Sequence, residues 1–339
     1  MNLPPHSRLQ LTPDLNICRI LNGMWQVSGS HGRIDSNIAI QTMFKYMDAG
    51  FTTWDLADHY GPAEDFIGEF RRQLITTRGK QALDQLQAFT KWVPRPTKMT
   101  RKLVEDNINI SLRRMGVESI DLLQFHWWEY RDKGYLDALK YMTELQAEGK
   151  IKHLALTNFD TKHLQIIVDS GIKIISNQVQ FSIIDRRPEI EMIPFCEKHN
   201  IKLLTYGTLC GSLLSEKYLG ISEPNSFLLN TASLRKYKNM IDGWGKWNLF
   251  QQLLNTLKTI ADKHQVTIPN VAIRYILDKP AVAGVIAGAR LGISEHIQDN
   301  NKVFNFKLDE TDYQQIQEIS NQSRDLFRLI GDCGDEYRR

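Results

Sequence analysis

Residues 151–180 read IKHLALTNFDTKHLQIIVDSGIKIISNQVQ. Ile151 to Leu156 is a compact apolar run of strand length, and Ile174 to Gln180 is a second. Between them, Thr161 to Asp169 carries its apolar residues at helical spacing. A helix between two strands is a crossover connection, so the two strands are expected to pair in parallel.

The same alternation runs outward in both directions. Toward the N-terminus, Leu136 to Glu148 reads as helix and Ile120 to Phe125 as strand. Thr100 caps a helix that carries Leu103, Ile108, Leu112 and Met115 to a stop at Gly116. Gln87 to Val93 is a strand, a helical stretch starts near Ala63, and Phe51 to Leu56 is a compact β-type run. Ile40, Met43, Phe44 and Met47 mark a helix that ends at Gly50, and Ile17 to Val27 reads as extended chain. Toward the C-terminus come a helix near Ile190 to His199 and a strand at Ile201 to Tyr206. A long polar segment, 207–248, follows as a loop, then helical chain and a last strand at Gly284 to Ala287. This makes eight strands, each followed by helical chain, which close naturally into an (α/β)8 TIM barrel. An open doubly wound sheet is the rival. It would carry GxGxxG after the first strand, whereas residues 21–32 read LNGMWQVSGSHG.

The chain has 339 residues, a length that such barrels reach as one domain, so 1–339 is read as a single unit. A net charge of +3 gives no basic stripe, which argues against nucleic acid as a partner. Cys18, Cys196, Cys210 and Cys333 are scattered without a CxxC pair, a pattern that suits neither a disulfide framework nor a zinc site. There is no apolar run of about 18 residues and no signal-peptide core, so a reducing, cytoplasmic setting without membrane insertion is expected.

On a barrel of this kind, residues at the C-terminal ends of the strands face the active site. Here the second strand leads into Asp55-Leu56-Ala57-Asp58-His59-Tyr60, the third ends in Lys91-Trp92 and the fourth in His126-Trp127-Trp128. The fifth ends in Thr157-Asn158, the sixth carries Gln178, and the seventh ends at Tyr206-Gly207. Each residue alone has an ordinary structural explanation, as helix cap, solvated charge or rim aromatic. Their coincidence suits proton transfer by a phenol. A tyrosine with pKa near ~10 exchanges protons poorly at neutral pH, and a neighbouring ammonium lowers that value. Lys91 is expected to supply this charge to Tyr60, Asp55 to hold Lys91, and His126 to hydrogen-bond and orient the substrate oxygen. A phenol supplies only the proton, so the hydride must come from a cofactor. His59, His126, Asp55 and Asp58 are legal metal ligands, but no HxH or HExxH spacing is present and Lys91 opposes a cation, so no metal is expected.

Five segments in register resemble the aldo-keto reductase superfamily over nearly the whole chain. They are GFTTWDLADHYGPAEDFIGE (50–69), SLRRMGVESIDLLQFHW (111–127), GKIKHLALTNFD (149–160), SNQVQFS (176–182) and VIAGARLGISEHIQDN (285–300). The resemblance implies a barrel whose bottom is closed by a short N-terminal hairpin, which LQLTPDLNICRILNG (9–23) fits. It implies NADP(H) as cofactor, with NAD(H) the alternative, and a small carbonyl compound as substrate. Asp55, Tyr60, Lys91 and His126 align with the family's catalytic tetrad. Thr157, Asn158 and Gln178 align with the positions that bind the nicotinamide carboxamide, and Tyr206 with the aromatic that stacks on its ring. Gly207, Leu209, Gly211 and Lys217 resemble the pyrophosphate loop. Gly288, Arg290, His296, Asp299 and Asn300 resemble the terminal cofactor motif, with two extra residues between Arg290 and His296. Arg290 is the candidate for a 2′-phosphate, through a bidentate guanidinium.

Trp25, Trp92 and Trp127, with Trp128, would give an aromatic mouth suited to aryl or medium-chain aldehydes. The segment 211–248 folds over cofactor or substrate in this reading. Two alternatives to an aldehyde or ketone reductase stay open. One is a regulatory subunit that keeps the cofactor-bound barrel, as in channel β subunits resembling this family. The other is an NAD(P)-dependent sugar or polyol dehydrogenase.

Overall fold

Strand side chains alternate between two faces, and that alternation gives this molecule its interior. The computed structural model describes residues 3–29 and 34–338. An antiparallel hairpin, β1 (Arg8–Thr12) and β2 (Leu15–Cys18), precedes eight parallel strands. These are β3 (Ile20–Gly23), β4 (Thr53–Asp55), β5 (Gln87–Trp92), β6 (Ile120–Phe125), β7 (Ile151–Thr157), β8 (Ser176–Gln180), β9 (Lys202–Tyr206) and β10 (Val282–Gly288). They pair in chain order, and β10 pairs with both β9 and β3, so the barrel is closed. The expected (α/β)8 architecture is therefore present as one domain.

Inside, Leu21, Phe89, Leu122, Ala155, Leu204 and Ala283 form an apolar lower layer. Leu15 and Ile17 of the hairpin join this layer and close the bottom, as the sequence suggested. A larger apolar shell packs the strands' outer faces against the helices. No helix among the described residues is long and apolar enough to cross a membrane. All four cysteines are buried and unpaired.

The structure departs from the sequence reading in two places. The extended run 17–27 stops at Gly23, with Trp25–Val27 a 3-10 helix, and is divided at Arg19, whose guanidinium donates to the carbonyls of Leu277, Val282 and Ala283 and fixes the turn from hairpin into barrel. The segment 207–248 is not a loop throughout, because Ala232–Trp244 is a helix and a second, Lys246–His264, starts within the segment. Thr231 caps the first helix through Leu234 N at 3.1 Å, and Leu234, Tyr237, Ile241 and Trp244 bury one face of it. Its Ser, Asn and Lys content hid that stripe. Residues 30–33, which include the last three of the stretch without a dinucleotide fingerprint, lie outside the described residues.

Candidate active site

Two residues above the apolar layer, the alternation turns polar. Lys91 follows Phe89 on the same face of β5, Gln124 follows Leu122 on β6, Thr157 follows Ala155 on β7, and Tyr206 follows Leu204 on β9. Asp55 ends β4, so six strands deliver polar groups to one level of the barrel, with Gln178 coming from β8.

At that level Asp55 is the centre of a closed hydrogen-bond ring. Lys91 Nζ donates to Asp55 Oδ2 at 2.5 Å and to the Leu56 carbonyl at 2.7 Å. Asp55 Oδ1 accepts from Gln124 Nε2 at 2.9 Å and from Gln178 Nε2 at 2.8 Å, and Gln178 also donates to Gln124 Oε1 at 2.6 Å. Asp55, Lys91, Gln124 and Gln178 are all buried. A buried carboxylate is tolerated when it is paired and hydrogen-bonded, and this one is both. Gln178 thus serves the ring beneath the pocket. Gln124 stood inside a recognised segment, but nothing in the sequence marked it as a partner of Asp55.

Tyr60 stands above the ring, with Lys91 Nζ 5.0 Å from the centre of its phenol ring. Trp25 and His59 hold the ring edge-on at centroid distances of 5.1 and 4.8 Å. The loop that carries Tyr60 is pinned by Arg114, another residue with no mark in the sequence reading. Its guanidinium donates to the carbonyls of Asp58 and Gly61 and to the carboxylates of Glu64 and Asp65. Asp58 continues the anchoring, accepting from Val93 N at 3.0 Å and pairing with His59. The phenol's acidity is opposite to expectation. Burial, followed by the charge of Asp55, pushes it well above the ordinary tyrosine value. Burial disfavours the charged phenolate, and the Asp55 carboxylate adds to this while offsetting the ammonium that was expected to acidify Tyr60. Burial also pulls the Lys91 ammonium down, against the pull of Asp55.

His126 follows β6 and is buried, its Nδ1 3.1 Å from the Thr157 carbonyl. A carbonyl only accepts, so Nδ1 carries the hydrogen. Burial, with the charge of Arg338 adding to it, pulls the imidazole down to about 4. The ring is therefore neutral at pH 7, and its buried, unpartnered Nε2 presents a lone pair.

Among the cofactor candidates, Tyr206 donates to Asn158 Oδ1 at 2.8 Å, and Thr157 Oγ1 donates to the Gln178 carbonyl at 3.2 Å. The turn after β9 holds Gly207, Cys210, Gly211 and Ser212 at positive φ, and Leu209 lies within it. A Cβ on Gly207 would lie 2.3 Å from the hydroxyl of Tyr237, which fills the underside of this turn. Lys217 is exposed, its ammonium 5.4 Å from the Tyr218 ring. Gly288 ends β10 against Gln26, and the Arg290 carbonyl accepts from Ile293 N and Ser294 N. His296 and Asn300 bracket the start of the helix Ile297–Lys302, while Asp299 accepts from Thr267 Oγ1.

The tryptophans divide. Trp25 borders Tyr60, and Trp128 lies 4.3 Å from the His126 ring. Trp92 and Trp127 are buried beside Phe125, and the Trp127 indole N–H is taken by the carbonyls of Glu129 and Asp132, so these two back the wall instead of lining it.

A segment the sequence reading left unassigned crosses the site. Arg187 Nη1 holds Glu336 at 2.9 Å and the Asp332 carbonyl at 3.0 Å, while its other nitrogens grip Asp185. Arg338 donates to the Trp127 carbonyl at 2.7 Å. Tyr337 lies between these anchors, 6.2 Å from the His126 ring and 3.0 Å from the Tyr206 hydroxyl.

A polar cleft of about 1000 Å³ at the opposite, hairpin end is lined by charges that largely pair with each other, as in Arg78–Asp48 and Lys152–Asp121. It is remote from the polar strand ends.

Comparison with known proteins agrees with the fold. The family model described as Aldo/keto reductase family matches residues 19–321. An NADH-specific methylglyoxal reductase of Escherichia coli (strain K12) is 22% identical over 334 residues, which cover 91% of this chain and 96% of the relative. The structure of a glycerol dehydrogenase from Gluconobacter oxydans superposes with a TM-score of 0.75 at 22% identity, covering 97% of this chain and 98% of that one. A thermostable aldo-keto reductase bound to the inhibitor epalrestat gives 0.68 at 24%, covering 90% of this chain and 96% of that one. The chain belongs to the aldo/keto reductase family.

Proposed function

We propose that this oxidoreductase reduces aldehydes or ketones to alcohols with NADP(H), with Tyr60 as the general acid. The observation that carries the reading is the set of groups on adjoining strand ends. The Tyr60 phenol stands over the buried Lys91–Asp55 pair, and the strand beside Lys91 leads into the His126 imidazole with its unpartnered Nε2. In the reductive direction Tyr60 donates to the carbonyl oxygen as charge develops there. In the product state, the neutral His126 accepts a hydrogen bond from the new hydroxyl and fixes its orientation. The same two groups serve alcohol oxidation, and the lone pair on His126 suits an alcohol ligand. A dehydrogenase acting on a polyol is therefore the second reading.

The residues present fit a nicotinamide cofactor. Asn158 and Thr157 offer polar groups beside the Tyr206 ring, and the positive-φ turn from Gly207 to Ser212 forms a tight concavity for phosphate. When bound, the cofactor supplies the hydride. NADP(H) is preferred to NAD(H) on the strength of Arg290, the cation at the expected 2′-phosphate position. Trp25 and Trp128 favour an aryl or medium-chain aldehyde, and four unpaired, buried cysteines suit a reducing, cytoplasmic compartment.

The test is NADPH oxidation, followed by its near-ultraviolet absorbance against an aldehyde panel, with Tyr60→Phe beside wild type. Aldehyde-dependent loss that falls at least about 10²-fold in the variant supports the reading. Equal rates in the two proteins remove Tyr60 from its role. For the cofactor, NADPH should bind several-fold tighter than NADH, and Arg290→Ala should erase the difference. Equal wild-type affinities would reject NADP(H).

A further inference from the structure

We infer that Tyr337 and Lys236 are positioning residues for the cofactor, acting through Tyr206 to set which way the Asn158 amide faces. The inference rests on the reading that Asn158 meets the nicotinamide carboxamide.

Four polar groups form a chain. Lys236 Nζ is 2.5 Å from Tyr337 Oη, Tyr337 Oη is 3.0 Å from Tyr206 Oη, and Tyr206 Oη is 2.8 Å from Asn158 Oδ1. The hydrogens follow from the Lys236 end. An ammonium only donates, so Tyr337 accepts from Lys236 and turns its own hydrogen to the Tyr206 hydroxyl. The single hydrogen of Tyr206 is then left for Asn158, which must meet it with its amide oxygen. The chain runs one way, from the ammonium to the amide oxygen, and each bond polarises the next. Lys236 is itself held over the faces of Tyr337, Tyr206 and Tyr237, at 4.4, 5.4 and 5.5 Å.

The consequence falls on Asn158. With Oδ1 committed to Tyr206, the amide turns its two Nδ2 hydrogens to a ligand. Those are the donors that a carboxamide carbonyl needs. Reversing the amide would set Nδ2 against Tyr206 and turn an acceptor toward that carbonyl. Asn158 is constrained in its backbone as well, at φ 59°, with Gly334 packed directly on its carbonyl. The segment 332–338 therefore positions both the backbone and the side chain of this residue, through anchors more than a hundred positions away in the chain.

The experiment compares NADPH with 2′-phospho-ADP-ribose, the same molecule without its nicotinamide, by quenching of tryptophan fluorescence. No substrate is present, so turnover plays no part. Tyr337→Phe keeps the ring and removes the chain's middle hydroxyl. It should weaken NADPH roughly tenfold, the loss of one well-made hydrogen bond, and leave the fragment unchanged. Lys236→Met should give the same selective loss. Equal loss for both ligands, or no loss for either, overturns the inference. Asn158→Ala separates the two levels of the argument. If it binds NADPH like wild type, the nicotinamide reading falls and takes the inference with it. If it loses NADPH selectively while Tyr337→Phe does not, the inference alone falls.

Discussion

Lys91 and Asp55 touch at 2.5 Å with both side chains buried, so the two charges beneath Tyr60 largely cancel. Burial and the Asp55 charge hold the phenol well above the ordinary tyrosine value, and an uncompensated charge in the pair appears only if one partner is removed. Lys91→Met leaves a buried carboxylate with two amide donors, Gln124 and Gln178. The expected loss is about 3–5 kcal/mol of stability. Adding Asp55→Asn should recover most of it, because the neutral amide needs no cation. Urea denaturation of the single and double variants reads the coupling. A double variant as unstable as Lys91→Met would show that the charge pair is not what Lys91 stabilises.

His126 makes stability depend on pH. Its folded pKa, about 4, lies below the ordinary 6.5. Between those values the unfolded chain binds a proton that the folded site refuses. The contribution is complete above about 6.5 and is lost as pH falls toward 4, on the order of 3 kcal/mol in all. His126→Gln should flatten that part of the stability profile relative to wild type. Parallel profiles through this window would mean that the imidazole is not held neutral by burial.

Arg114 touches neither a candidate ligand nor Tyr60, yet it fastens the chain on both sides of that residue, at Asp58 and Gly61. Arg114→Lys keeps the charge but loses the fork that reaches two carbonyls and two carboxylates. Small displacements of a proton donor have large effects on rate, so turnover should drop on the order of 10²-fold. NADPH affinity should stay within about twofold, because Arg114 bonds only to Asp58, Gly61, Glu64 and Asp65, none of which is assigned to the cofactor. Unchanged turnover would leave the loop's placement to Asp58 alone.

The sequence exposed what local pattern controls. Asp55, Lys91 and His126 stood out because each interrupts or follows an apolar strand run, and period-two alternation puts them on the face that also carries Phe89 and Leu122. The hairpin that closes the barrel was expected from the family resemblance and not from the pattern of its own residues. What local pattern does not control stayed hidden. Gln124 looks like any polar residue in a strand until Asp55, 69 positions away, is brought beside it. The acidity of Tyr60 was misjudged because the argument counted the ammonium but neither the burial of the phenol nor the opposing charge of Asp55. Segment 332–338 has no apolar periodicity, and its contacts reach across 101 to 211 residues, from Lys236 to Trp127. Such contacts follow from barrel closure, which no window of sequence contains.

Gly334 and Gly331 offer a paired test of that segment. Both sit at positive φ, 89° and 104°, so alanine strains the backbone at either, by about 1–2 kcal/mol. Their surroundings differ. A Cβ on Gly331 would lie 2.2 Å from Asp335 Oδ2, the tip of a side chain that can turn away. A Cβ on Gly334 would lie 2.1 Å from the Asn158 carbonyl oxygen, which is backbone fixed at a strand end and cannot yield. Gly334→Ala must therefore lift the segment off Asn158 or push Asn158 out of place. Both variants should lose similar stability in thermal denaturation, but only Gly334→Ala should weaken NADPH binding markedly. Equal affinities in the two variants would uncouple this segment from the cofactor site and leave it a structural tie between Arg187 and Trp127.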